Sequence, residues 1–168
     1  MKTIEVRLDP QGVEAAIKEL NAYKEYLVAR TEALLQRLTS DGATIAKAKV
    51  VQLGIKYDNN LTASINGFVT GNVGFIKVDD EHAVFFEFGT GPIGAANPHP
   101  KGGKYKSSGW FTKADGKAMD SLYGWTRFGD DGNTFFYTHG QKSKPFLYET
   151  ALELQREFPR IAKEVFST

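Results

Sequence analysis

The chain contains no cysteine, which excludes a disulfide framework and thiolate chemistry. It contains no apolar run approaching the ~20 residues needed to cross a bilayer. It has no excess of charge: 21 basic against 20 acidic residues leave a net +1. The whole-chain balance therefore predicts no polyanionic partner. From Lys2 to Asp9 charged and apolar residues alternate, a pattern unlike a secretory signal. The sequon at Asn60-Leu61-Thr62 accordingly reads as coincidence. No internal repeat is visible. What is plentiful is aromatic surface, with 12 Phe, 7 Tyr and 2 Trp in 168 residues. That length suits one domain, residues 1–168, with a real core.

Local patterns order the chain. Ile4, Val6 and Leu8 alternate with Glu5 and Arg7, which predicts a half-buried strand. Asp9 followed by Pro10 is a helix start, since Asp accepts from orphan amides and Pro suits the first helical position. The helix is predicted to reach about Ser40, with an apolar stripe of Val13, Ile17, Leu20, Leu27, Leu34 and Leu38 and with Tyr23 alongside. At ~1.5 Å per residue it is roughly 45 Å long. A rod of that length must project beyond a small domain or pack along another helix. Its distal half, around Ala29 to Leu38, exceeds what one small sheet covers, and that surplus motivates oligomerisation.

Ser40-Asp41-Gly42 reads as a break, followed by a second, alanine-rich helix from Ala43 to Leu53 that Gly54 ends. Leu61 to Thr70 and Val73 to Val78 read as two strands joined at Gly71-Asn72. Ala83 to Phe88 reads as a short apolar strand. Residues 92–133 form a long loop insertion rich in Gly, Lys and aromatics, of the kind that is usually functional. Phe135 to Thr138 is a further strand. Pro145 to Phe166 is the last helix, with a stripe of Leu147, Ala151, Leu154, Phe158, Ile161 and Val165. Pro159 should kink it near Gln155. The predicted fold is α+β: a long N-terminal helix, a second short helix and a C-terminal helix packed on one face of an antiparallel sheet of about four or five strands. The other sheet face is left for solvent or a neighbour.

Few residues suggest chemistry. Gly89-Thr90-Gly91-Pro92-Ile93-Gly94 spells the dinucleotide-binding glycine pattern, which requires a helix to open at once on the phosphates. Pro92, then Asn97-Pro98-His99-Pro100, forbid that helix on this reading, and there is no parallel βαβ context. The glycines read instead as a tight exit from a strand. His82 and His139 flank strands, and His99 sits in the loop. None has metal-ligand spacing, so neither a metal nor a cofactor is expected. Ser64 lacks a nucleophile elbow.

Glu87 is the sharpest polar position, at the end of the most apolar segment. By strand alternation it shares a face with Phe85. It either points to water on the open face or meets a cation of the next copy across an interface. A catalytic role needs a second carboxylate or a base nearby, which gives a hydrolase site near Glu87 and His139 as a third reading. The loop residues Lys101, Lys104, Tyr105, Lys106, Trp110, Phe111, Tyr123 and Trp125 have the composition of a nucleic-acid contact. They equally have that of a protein interface. A net charge of +1 ranks a solvated or interfacial role above nucleic acid.

Three stretches, taken in order, carry a resemblance. Leu61-Thr-Ala-Ser64-Ile65 comes first, then Glu87-Phe88-Gly89-Thr90, then Pro145-Phe146 with Ala151 opening the last helix. In this order and spacing the chain resembles the tail-completion (head–tail joining, or neck) proteins of long-tailed bacteriophages. It departs from them at Asn59-Asn60, where the family has Thr-Gly. The resemblance implies a structural virion protein without enzymatic activity, made in the host cytoplasm. Copies would form a ring, six-fold by family analogy, between the head connector or stopper and the tail terminator or tail tube. Lysines lining its lumen would touch passing DNA transiently, and no membrane is involved. The contact candidates are Glu87, Phe88, Gly89, Thr90, Lys101, Lys104, Tyr105, Lys106, Trp110, Phe111, Trp125, Pro145 and Phe146. The alternative is a nucleic-acid-binding module that uses the Lys/aromatic loop 101–125.

Overall fold

The computed structural model describes residues 6–55, 60–101, 125–128, 135–138 and 140–167. Helix α1 (Pro10–Gln52) dominates it. Asp9 caps the helix, accepting from the Gly12 amide at 2.7 Å, and Pro10 opens the first turn. The helix does not break at Ser40-Asp41-Gly42, and the separate second helix expected from Ala43 is the continuation of α1. All 43 residues are helical, about 65 Å at ~1.5 Å per residue. Arg37 bonds Asp41 at 2.7 Å one turn on, spanning the expected break. Gly42 is there for space: a Cβ would overlap Ile76 Cδ1 and lie 2.8 Å from Leu154 Cδ1. Gly54, at φ +59°, lies just past the helix end. Before α1, Val6 and Arg7 are in no regular structure and Leu8 is 98% exposed. The expected half-buried strand is absent over residues 6–8; Ile4 and Glu5 lie outside the described residues.

Helix α2 (Asn60–Ala63) leads into β1 (Ile65–Thr70), which pairs antiparallel with β2 (Val73–Val78). The predicted hairpin is present, shortened at its start. Gly71 supplies the turn at φ +56°. The hairpin lies on α1 at Thr39. A Cβ on Gly67 would sit 2.8 Å from the Thr39 carbonyl carbon, and one on Gly74 2.6 Å from Thr39 Cγ2.

Ala83–Phe88 is a helix, α3, and not a strand. The His82 carbonyl accepts from both Phe85 and Phe86, and Asp80 holds the His82 amide at 2.8 Å. The buried residues are Ala83, Phe86 and Glu87, which is helical spacing. A six-residue apolar run does not distinguish the two conformations by periodicity. A second short helix, α4 (Gly91–Ala96), opens at once, with Pro92 in its first turn. Proline there forfeits an amide that has no helical partner anyway, so the expectation that Pro92 forbids a helix is corrected. The 92–133 insertion thus starts in regular structure.

Strands β3 (Trp125–Phe128) and β4 (Phe135–Thr138) form a second antiparallel pair. Among the described residues the strands make two separate two-stranded hairpins, where a single sheet of four or five strands was expected. Helix α5 (Phe146–Ser167) runs through Pro159. It lies antiparallel to α1: Lys49 meets Glu153 at 2.9 Å near one end, and Tyr26 donates to the Phe166 carbonyl at 3.0 Å near the other. The core is Ala46, Val50, Ile55, Leu61, Ile65, Ala83, Phe86 and Phe146. It gathers where the C-terminal half of α1 meets the hairpin, α3 and the start of α5.

Candidate functional site

The segments 87–101 and 140–148 dock on each other, and Glu87 is their centre. Its residue is only 6% exposed. Oε2 accepts from the Leu147 amide and Oε1 from the Tyr148 amide, each at 2.9 Å. Those are the second and third residues of α5. The first amides of a helix lack intrahelical partners and carry the positive end of its dipole. Pro145 precedes α5, so the chain itself offers no Ser, Thr, Asp or Asn at the boundary. Glu87 supplies the missing acceptor from α3. The nearest hydroxyl, Ser143, instead donates to the Glu87 carbonyl.

His99 completes the carboxylate's shell, with Nε2 3.2 Å from Glu87 Oε1. Its other ring nitrogen, Nδ1, accepts from the Lys101 amide at 3.0 Å. A nitrogen that accepts carries no proton, so Nε2 holds it and donates to Glu87. The ring sits between Phe88 and Tyr148, with centroids 4.9 and 5.2 Å away. His99 is therefore a buried structural residue and not a member of an open loop.

Backbone contacts close the junction. Thr90 and Gln141 exchange bonds of 2.8 and 3.1 Å, and the Lys144 amide donates to the Phe86 carbonyl at 2.7 Å. Three glycines permit this approach. A Cβ on Gly140 would overlap the Thr90 carbonyl, one on Gly89 would lie 2.6 Å from the Ser143 amide, and one on Gly94 would lie 2.9 Å from the Gly89 carbonyl carbon. The glycine pattern serves close packing of two backbones. Lys144 Nζ reaches the Gly54 carbonyl at 2.7 Å, tying the junction to the end of α1. Burial holds the Lys144 ammonium below the ordinary lysine range, and the charge of Lys142 adds to that.

The sequence candidates now divide. Glu87, Phe88, Gly89, Thr90, Pro145 and Phe146 converge in this junction, and Phe146 is fully buried. Glu87 neither faces water nor reserves itself for a cation of another copy: its partners are in its own chain. Lys101 is exposed at the junction's edge, and Trp125 opens β3. Lys104, Tyr105, Lys106, Trp110, Phe111, Tyr123 and His139 lie outside the described residues. His99 was missed as a partner of Glu87. Twelve residues separate the two, and only the α3–α4 turn brings them together. A histidine between two prolines was the available signal.

Chemically the junction is saturated. Both carboxylate oxygens and both imidazole nitrogens are engaged, and among the described residues every buried polar side-chain atom has a partner. No group of three His, Cys, Asp or Glu among them could hold a metal ion. No described helix is long and apolar enough to cross a membrane. An open groove of about 500 Å³ between α1 and β1 carries Lys47 as the one charged residue among the described residues that line it.

The exposed surface is more distinctive. On α1, Val13, Ile17, Leu20, Leu27 and Val28 are exposed, with Ile17 and Leu20 each at 53%. On the hairpin, Phe68 and Phe75 stack at 5.2 Å with both rings exposed. Comparison with family models, curated proteins and solved structures yields no significant match.

Proposed function

We propose that this chain is an architectural protein of a bacteriophage neck, which assembles into a ring joining the tail tube to the head connector. The observation that carries the reading is the contrast between its two kinds of polar and apolar group. The buried polar groups at the Glu87 junction are spent on each other, which suits a rigid spacer and not a reaction centre. The apolar side chains of the free end of α1 and of the Phe68–Phe75 pair stand in water, which suits burial against other subunits. The order of the Leu61–Ile65, Glu87–Thr90 and Pro145–Phe146 stretches supports the assignment to a neck. Identical copies meeting through heterologous contacts close into a ring when the rotation between them fits.

The test is mass measurement and electron microscopy of the purified protein, alone and mixed with tail tubes. The expected result is a closed ring seated on the tube end. A protein that ignores tail tubes, yet stays on DNA through moderate salt until Lys101, Lys104 and Lys106 become Glu, overturns the neck reading in favour of a nucleic-acid-binding module.

A further inference from the structure

Two parts of this chain are incomplete in complementary ways. The first is the outer edge of β1. Thr70 and Val73 flank the two-residue turn, and the Asp79 amide donates to the Ser64 carbonyl, so the even-numbered residues of β1 bond into the hairpin. Gly67 and Val69, which are exposed and half-buried, therefore direct their N–H and C=O groups away from β2. Among the described residues no strand pairs with that edge. It borders the open groove of about 500 Å³, whose floor is one face of α1 from Gln36 to Lys47. The Thr39 and Thr44 hydroxyls on that floor donate back to carbonyls of α1 itself. What the groove leaves unpaired is main chain, and an extended strand is what fits it.

The second is the segment before α1. Ile4, Val6 and Leu8 alternate with Glu5 and Arg7, the pattern of a strand with one apolar face. Yet residues 6–8 join no sheet, and Val6 and Leu8 are 51% and 98% exposed. The pattern is as long as the stretch of β1 that lines the groove, Ile65 to Val69. Laid along β1, it would turn Ile4, Val6 and Leu8 toward Thr39, Ser40 and Ala43 on the floor and leave Glu5 and Arg7 in water. It cannot reach the groove of its own molecule. Gln36 lies about 40 Å from Pro10 along the unbroken α1, at ~1.5 Å per residue. Ile4 can extend only about 20 Å from Pro10.

We infer that residues 4–8 of one copy add as a strand to the free edge of β1 in the next copy. The occupant is a second molecule of this chain because the unpaired strand pattern and the unpaired edge match in length and in apolar periodicity, while the length of α1 forbids the match within one molecule. Donor and acceptor are different surfaces, so the contact is heterologous. It would join neighbours in the proposed ring, yet it needs neither a tail tube nor a neck. Copies that pair in this way and ignore tail tubes keep this inference and lose the neck reading. A ring seated on a tube with its grooves empty does the reverse.

Complementation in sedimentation equilibrium tests this. The intact chain should sediment as assemblies larger than a monomer. Val6→Asp spoils the donor, and Val69→Pro spoils the acceptor by removing an outward N–H that the hairpin does not use. Each variant alone should be monomeric with the circular dichroism of the intact chain, since neither position belongs to the core. Mixed, the two should pair one to one and stop at dimers, because each lends the surface the other lacks. An excess of the peptide of residues 2–9 should disperse the intact assembly. The lack of native cysteine permits a geometric check. Whichever way the added strand runs, Arg7 comes within ~8 Å of Asn66. Arg7→Cys mixed with Asn66→Cys should therefore give heterodimers with a short thiol cross-linker. Lys163→Cys, exposed on α5, should not link to Asn66→Cys. An intact chain that is monomeric at every concentration, two variants that keep the dichroism yet fail to pair when mixed, or linkage at Lys163 as readily as at Arg7 would overturn the inference.

Discussion

Glu87 and His99 meet at 3.2 Å in the interior, and each is held by a backbone it did not come with. The carboxylate takes the first free amides of α5, and the imidazole takes the amide of Lys101. One pair of side chains thereby fixes α3, the turn after α4 and the start of α5 to one another. Buried hydrogen bonds to a carboxylate contribute more than neutral ones, and the penalty for leaving their donors unpaired is larger still.

Replacing Glu87 with Gln keeps the shape but points an amide NH₂ at one or more donors. We expect Glu87→Gln to lose about 2–4 kcal/mol of stability in chemical denaturation, from unpaired amides at the start of α5. A loss under ~0.5 kcal/mol would mean that the junction does not depend on the carboxylate.

The imidazole tautomer is a separate outcome. Long-range ¹H–¹⁵N spectra should show His99 with its proton on Nε2 and a bare Nδ1 accepting from Lys101. A proton on Nδ1 would contradict the hydrogen-bond network.

Gly42 sets two effects against each other. Alanine is the better helix former by roughly 1 kcal/mol. Its Cβ would meet the Cδ1 ends of Ile76 and Leu154, flexible side-chain tips that can turn aside at small cost. Gly42→Ala is therefore expected to keep or raise the melting temperature. A clear fall would show that the two tips cannot move and that the hairpin and α5 press on α1 there.

Lys144 provides a pH signature. Its folded pKa lies below its ordinary value of 10.5, so between the two values the unfolded chain binds the extra proton. Stability attributable to this group therefore rises as pH climbs toward 10.5 and is lowest where the lysine is charged in both states. Against Lys144→Met, the intact chain should gain relative stability through that alkaline window. A difference between the two proteins that is flat with pH would reject the assignment.

Much of the architecture was legible residue by residue. Asp9-Pro10, Gly71-Asn72, Gly54 and Pro145 act locally, through dihedral freedom or an unpaired amide, and each marks its boundary in the folded chain. The failures share a cause. Ser40-Asp41-Gly42 looks like a break because glycine is a poor helix former, yet its missing Cβ makes room for Ile76 and Leu154. Continuing the helix moved its uncovered end from the expected Ala29–Leu38 stretch to the N-terminal side, while Leu34, Leu35 and Leu38 became half-buried.

The amino-acid order alone determined the α+β class, the first hairpin and the two amphipathic helices, because caps, turns and periodicity act over a few residues. Only the tertiary structure decided that Ala83–Phe88 coils rather than extends, and that Glu87 turns inward to Leu147, Tyr148 and His99. Its partners lie twelve to sixty-one residues away, and no local preference encodes which distant amides will need an acceptor. That requirement arises only once α5 has packed along α1 and brought its uncapped first turn against α3.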